Sequence, residues 1–254
     1  MNKRKRAAAW LALTALTIVS AAAQVLPLQM SDGQGMFRLG LAVGEESVWL
    51  DECKVKQQGN DYTATHQLMS GGQVVVSVVK LDRESGIVIR VVADGLPAES
   101  HLCWAFGACD VDHANAPGTD AIPAERCAEN VFVVEGTWFL TYYGKLERFR
   151  VVSGLIPPAD EAVICDAHQQ ASPLQLLSSG KKTDSPVMGQ QLPIVSGQPL
   201  YMAVISAMPG PPPSAEQKPG EGEPPAPKPG QQPAPQAGPG SQYTYETLHE
   251  AFND

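Results

Sequence analysis

The sequence predicts an all-β chain: an antiparallel β-sandwich of supersandwich type over residues 24–208, a disordered Pro- and Gly-rich linker over 209–240, and a short C-terminal helix over 241–254. Three observations carry that reading. Segments rich in β-branched and aromatic residues alternate with period two rather than the helical period of about 3.6. Glycine-bearing breaks of hairpin length separate several of them. Large apolar side chains stop after Met208 and do not return before Tyr243.

At the N-terminus, Asn2-Lys3-Arg4-Lys5-Arg6 precedes an apolar run from Ala7 to Val19 and the small residues Ser20-Ala21-Ala22-Ala23. A basic head, an apolar core and a small-residue site make residues 1–23 a signal peptide, cleaved after Ala23. The run is shorter than the roughly 20 apolar residues that span a bilayer. No second run of that length follows, so no membrane span is expected after cleavage. A lipid anchor needs a cysteine directly after the leader, and the first cysteine is Cys53. The expected location is periplasmic or extracellular.

Cleavage removes Lys3, Arg4, Lys5 and Arg6, which lowers the basic count from 18 to 14 against 27 acidic residues and takes the net charge from -9 to -13. Such a surface repels phosphate backbones, which excludes nucleic acid as a partner class. The five cysteines (Cys53, Cys103, Cys109, Cys127 and Cys165) leave at least one thiol unpaired within the chain. Cys109 with Cys127 is the disulfide candidate, since it would close the loop between two strands; a bridge over a loop of that size typically adds ~3 kcal/mol. The alternative is that several are buried small apolar side chains.

In chain order, the strand segments are Met36 to Val43, Asp61 to Leu68, Gln73 to Leu81, Ile87 to Ala93, His101 to Cys109, Asn130 to Glu135, Thr137 to Tyr143, Leu146 to Val152 and Leu200 to Ala207. Ser70-Gly71-Gly72, Glu84-Ser85-Gly86 and Tyr143-Gly144-Lys145 sit where short hairpin connections belong. From His101 onward Leu102, Trp104, Phe106 and Ala108 share one face and Cys103, Ala105, Gly107 and Cys109 the other, so both faces of this strand read as buried. Before the linker only Ala124 to Glu129 hints at a helix. The linker, Pro209 to Gly240, holds 12 prolines and 6 glycines in 32 residues, too few apolar groups to offset its ordering entropy. In the last segment, Tyr245, Leu248 and Phe252 form one helical stripe behind Ser and Thr cap candidates.

Reactive letters cluster at Cys109, Asp110, Asp112 and His113, at the start of a polar loop that runs to about Ala128. They match no Cys-x-x-Cys, His-Glu-x-x-His or calcium-loop spacing, so no metal and no cofactor is assigned. His66, His101, His113, His168 and His249 lie near no Gly-x-Ser-x-Gly nucleophile motif. Among Glu45, Glu46, Asp51, Glu52, Asp110, Asp112 and Glu135 the sequence selects no carboxylate pair. No catalytic residue is therefore assigned.

Six phrases in order carry a family resemblance: "FRLGLAV" (37–43), "SVWL" (47–50), "YTATHQL" (62–68), "GIVIRVVADGLPAESHLCWAFGA" (86–108), "FVVEGTWFLTYYG" (132–144) and "YMAVISA" (201–207). Leu102, Trp104, Phe106 and Gly107 are its most characteristic part. The chain resembles the secreted bacterial domain-of-unknown-function family numbered forty-four fifty. That family occurs in large exported proteins whose β-sandwich precedes an α/α-toroid resembling six-hairpin glycosidases. The resemblance implies a carbohydrate role and, as partners, a polysaccharide or oligosaccharide and an α/α-toroid catalytic domain. It carries no catalytic residues onto this chain.

Two readings of function follow. In the first, the chain is a non-catalytic accessory sandwich of a glycoside hydrolase-like protein that binds glycan or scaffolds a toroid. Trp49, Trp138, Tyr142 and Tyr143 are then the glycan-contact candidates, because aromatic faces offer sugars apolar area with fixed geometry. Core packing competes for each of them: Trp138, Leu140 and Tyr142 share one face, Phe139, Thr141 and Tyr143 the other. In the second, the chain is an exported adhesion or assembly module whose C-terminal helix docks on a partner groove. A hydrolase acting through the Cys109 to His113 loop is a third, weaker reading.

Overall fold

The computed structural model describes residues 26–30, 32–81, 86–110, 121–144, 150–157, 162–180, 182–207 and 243–253. Two antiparallel sheets account for most of them. The first has five strands in the order β11 (Val163–Asp166), β12 (Pro186–Pro193), β7 (Ser100–Gly107), β1 (Met36–Val43) and β2 (Glu46–Trp49). The second has eight, in the order β3 (Lys54–Gln58), β4 (Asp61–Thr65), β5 (Gln73–Lys80), β6 (Gly86–Asp94), β13 (Leu200–Ala207), β10 (Arg150–Leu155), β9 (Trp138–Tyr143) and β8 (Val131–Glu135). The leader and the linker lie outside the described residues. Among the described residues no helix is long and apolar enough to cross a membrane.

Period-two alternation places the core. Phe37, Leu39 and Leu41 of β1 and Leu102, Trp104 and Phe106 of β7 point at Val74, Val76, Ile87, Ile89, Phe139, Met202 and Val204 of the facing sheet. An aromatic chain crosses between the sheets, with ring centroids 4.9 Å apart for Phe37 and Phe106 and 5.2 Å for Phe106 and Phe139. Such tilted contacts contribute beyond the area they bury. The one indole donor in this layer is satisfied: Trp104 Nε1 donates to Gln190 Oε1 at 3.0 Å.

The outer face of the five-stranded sheet is covered as well, which explains why β7 reads as buried on both sides. Helix α1 (Pro173–Ser178) and the segment around Ile122 and Cys127 pack there against Met36, Trp49, Ala105, Cys165 and Val187. This helix has no counterpart among the expected elements; the Ser172 side chain accepts from the Gln175 N–H and proline stands in its first turn. Gly40 lets the helix approach: a Cβ there would lie 2.4 Å from Pro173 Cγ and 3.0 Å from the Val48 carbonyl oxygen.

Several expected strands shift. Asp61 to Leu68 is a strand only to Thr65, because the His66 ring accepts the Leu68 N–H and closes a 3-10 turn, Gln67–Met69. The Leu146 to Val152 segment becomes β10, Arg150–Leu155, with 145–149 outside the described residues. The Ala124 to Glu129 helix is a single 3-10 turn, Ala124–Arg126. Strands β2, β3, β11 and β12 have no counterpart in the expected set.

Candidate functional site

The outer face of the eight-stranded sheet gathers the half-buried aromatic residues. Cross-strand register sets Trp138 opposite Leu155, Leu155 opposite Ala203 and Ala203 opposite Val88, a row of apolar side chains on the side away from the core. The C-terminal segment covers part of that row. A 3-10 helix, Tyr245–Phe252, begins at Thr244, whose N–H donates to Thr247 Oγ1, and it buries Leu248 completely against the sheet. Phe252 meets Tyr201 in a tilted contact, 6.1 Å between centroids, and the Arg90 guanidinium lies 4.8 Å from the centre of the Phe252 ring. Ser77 Oγ accepts from Arg90 at 2.9 Å and donates to Asp61 Oδ1, which holds the guanidinium over the ring. The stripe of Tyr245, Leu248 and Phe252 expected to seat in a partner's groove thus seats on its own chain.

The four aromatic candidates part company here. Trp138 and Tyr142 are half-buried on β9. They share its outer face, since their cross-strand partners Leu155 and Val151 alternate with the core-facing Gly154 and Val152. Tyr143 and Trp49 are interior, 1% exposed each, and offer no face to a sugar. Tyr143 belongs to the inter-sheet core and donates its hydroxyl to Gln34 Oε1 at 2.9 Å. Trp49 is roofed by the Arg38 guanidinium, 4.3 Å from its ring, and donates Nε1 to the Gln170 carbonyl at 2.9 Å. Arg38 in turn holds Asp51, with Nε to Oδ2 at 2.7 Å and the second terminal nitrogen to Oδ1 at 3.2 Å.

The cysteines are held in the protonated form. Burial pushes the Cys103 and Cys165 thiols up to about 12. Burial does the same to Cys53, with Asp51 and Glu52 adding to it. Cys127 rises to about 11, mainly by burial, and fully buried Cys109 lies well above the ordinary value for the same leading cause. Thiols so held are poor nucleophiles at neutral pH. All five are free in the structure. Cys109 packs in the inter-sheet core, whereas Cys127 packs in the cluster outside the five-stranded sheet, where its sulfur accepts the Ala108 N–H at 3.2 Å.

A polar cavity of about 160 Å³ opens beside Cys109, lined by Asp110, Glu125, Arg126, Ala128 and Glu129. Arg126 Nε stands 3.7 Å from Asp110 Oδ2 there. Asp112 and His113 lie outside the described residues. One arrangement that the sequence reading missed brings His168 Nε2 within 3.2 Å of Ser185 Oγ and 3.6 Å of Asp184 Oδ1. Both partners meet the same ring nitrogen. A Ser-His-Asp relay needs the carboxylate on the opposite nitrogen, so this cluster cannot orient an imidazole as a base for Ser185. Among the described residues no three His, Cys, Asp or Glu side chains form a metal-holding group.

No curated protein matches the chain. Among solved structures, a polysaccharide lyase is similar with a TM-score of 0.33 and 10% identity, over 68% of this chain and 26% of the lyase. This chain therefore spans about a quarter of that lyase's length. A family model matches residues 30–215, which takes in every strand of both sheets. The chain belongs to the family described as a domain of unknown function, DUF4450.

Proposed function

We propose that this chain is a non-catalytic accessory β-sandwich of an exported carbohydrate-active protein, and that it contacts glycan through Trp138 and Tyr142. The observation that carries the reading is the pair itself: two half-buried aromatic residues, four positions apart on one face of β9. At ~3.3 Å per residue they stand about 13 Å apart along the strand, a span that suits an oligosaccharide rather than a single sugar. Aromatic rings recognise pyranose faces by burying C–H surface at fixed geometry. The six ordered sequence phrases, with the exported and toroid-linked context their resemblance implies, support the carbohydrate class and the periplasmic or extracellular address.

The test is affinity electrophoresis of the mature chain through soluble plant and host polysaccharides, with Trp138→Ala and Tyr142→Ala run beside it. Retardation by one glycan, weakened in both variants, is the expected result. Retardation that both variants retain would move the site elsewhere. No retardation by any glycan would remove binding from the reading and leave a scaffold for the toroid.

A further inference from the structure

The two edges of the eight-stranded sheet are built differently. At one end β3 carries the exposed side chains Lys54, Lys56, Gln57 and Gln58. Lysines on an edge strand oppose pairing with another chain. At the other end β8 reads Val131-Phe132-Val133-Val134-Glu135 and leaves Val131, Val133 and Val134 exposed at 60%, 44% and 38%. Among the described residues β8 pairs only with β9, so its second row of backbone donors and acceptors faces outward. The edge strands of the other sheet, β2 and β11, are four residues each, and shortness is itself a protection.

We propose that the open edge of β8 is the seat of a second copy of this chain, joined antiparallel about a twofold axis through Val133. The strand is complementary to itself in that register. Val133 meets Val133, Phe132 meets Val134, and the only charge of the strand, Glu135, meets Val131 of the other copy. No like charges face one another, and β-branched pairs stabilise such a ladder. The twofold consumes both apolar edges and leaves outward the lysine-bearing β3 edges and the four-residue β2 and β11 edges, so assembly closes at two chains and does not run on into a fibre. A five-residue ladder is short, so the dimer is reversible and governed by concentration. This inference is independent of glycan binding.

Sedimentation equilibrium of the mature chain over a concentration series tests it. The expected result is a weight-average mass that climbs from one chain toward two and stops there. Val133→Lys, at an exposed position, should hold the mass at one chain with an unchanged far-UV circular dichroism spectrum. Val133→Cys should cross-link under mild oxidation, because the residue faces itself, while Val131→Cys should not. A wild type that stays monomeric at its highest soluble concentration overturns the proposal and leaves β8 to a strand of some other protein. So does a dimer that survives Val133→Lys, or one that cross-links through Val131 and not Val133.

Discussion

Arg38 and Asp51 form a two-pronged ion pair in the interior, their side chains 7% and 8% exposed, with the Trp49 ring packed beneath the guanidinium. The pair joins β1 to the 3-10 turn after β2. Arg38 also donates to the Gln170 carbonyl at 3.3 Å, and Trp49 donates to the same oxygen. Removing one partner strands the other charge away from water. Asp51→Ala or Arg38→Ala should therefore lower stability by about 3–5 kcal/mol. Glu52, half-exposed and 3.5 Å from the same guanidinium, should cost no more than about 1 kcal/mol on replacement by alanine. Urea unfolding of the three variants separates these outcomes. Equal small losses would mean that solvent reaches the pair.

A second relationship is steric. A Cβ on Gly154 would stand 2.1 Å from Phe139 Cε1 and 2.8 Å from the Ala203 carbonyl oxygen, so the phenyl ring occupies the space over β10. Gly154→Ala should destabilise by about 1–3 kcal/mol, the range for overpacked cores. Adding Phe139→Leu should recover part of the alanine penalty, which a double-mutant cycle reads as coupling. Strict additivity would mean that the backbone, and not the ring, resists the methyl group.

The sheets were legible where one strand face meets the core and the alternation is clean, as in "MFRLGLAV" and "QVVVSVVK", which are β1 and β5. They were illegible where pairing is imposed from outside. β12 reads Pro186 to Pro193 with Gly189 and two glutamines inside it. It is a strand because it pairs with β7 on one side and β11 on the other; there Gln190 accepts from Trp104, and Gly189 leaves room for Leu177. β3 is polar because it is an edge. For β9 the sequence divided the aromatic residues into the two faces found in the structure, yet it could not say which face looks inward, since the C-terminal helix that covers part of the outer face lies far away in sequence. Trp49 looked like a surface candidate for a similar reason: the Gln170 carbonyl that holds its indole lies 121 residues further along the chain.

Thiol burial sets an alkaline limit. Cys103 rises from an ordinary 9.0 to about 12 in the fold. A proton held more tightly in the folded state means that stability is full below about pH 9 and declines as pH rises toward 12. One pH unit above the unfolded value, a single such thiol removes about 1.4 kcal/mol. Cys165 and Cys53 act in the same direction. Between about pH 8 and pH 10, Cys103→Ala should lose about 1.4 kcal/mol less than wild type by urea unfolding. A variant with the wild-type slope would refute the link. Denatured without reductant, the chain should also titrate all five thiols; two fewer would show that a bridge had formed, and its loss in both Cys109→Ser and Cys127→Ser would assign it to that pair.

The C-terminal helix lies as a strap on one face of the eight-stranded sheet, outside the inter-sheet core. Leu248 is fully buried, yet everything it touches lies on one sheet face, beside Val88, Leu155 and Ala203. Leu→Ala in a core commonly costs about 2–5 kcal/mol. A segment that packs on one sheet face from outside can release without opening the core, so Leu248→Ala should lower global stability by no more than the strap's own docking energy. The sensitive readout is local. Trp49 and Trp104 are buried at 1% exposure each, and Trp138 packs at the margin of the strap's cluster. Leu248→Ala and a chain ending at Met208 should both shift tryptophan emission to longer wavelength, by similar amounts and with little change in the unfolding midpoint. If neither shifts emission, the strap does not cover Trp138 in solution. A large midpoint loss in the truncated chain would instead make the helix an integral part of the sandwich.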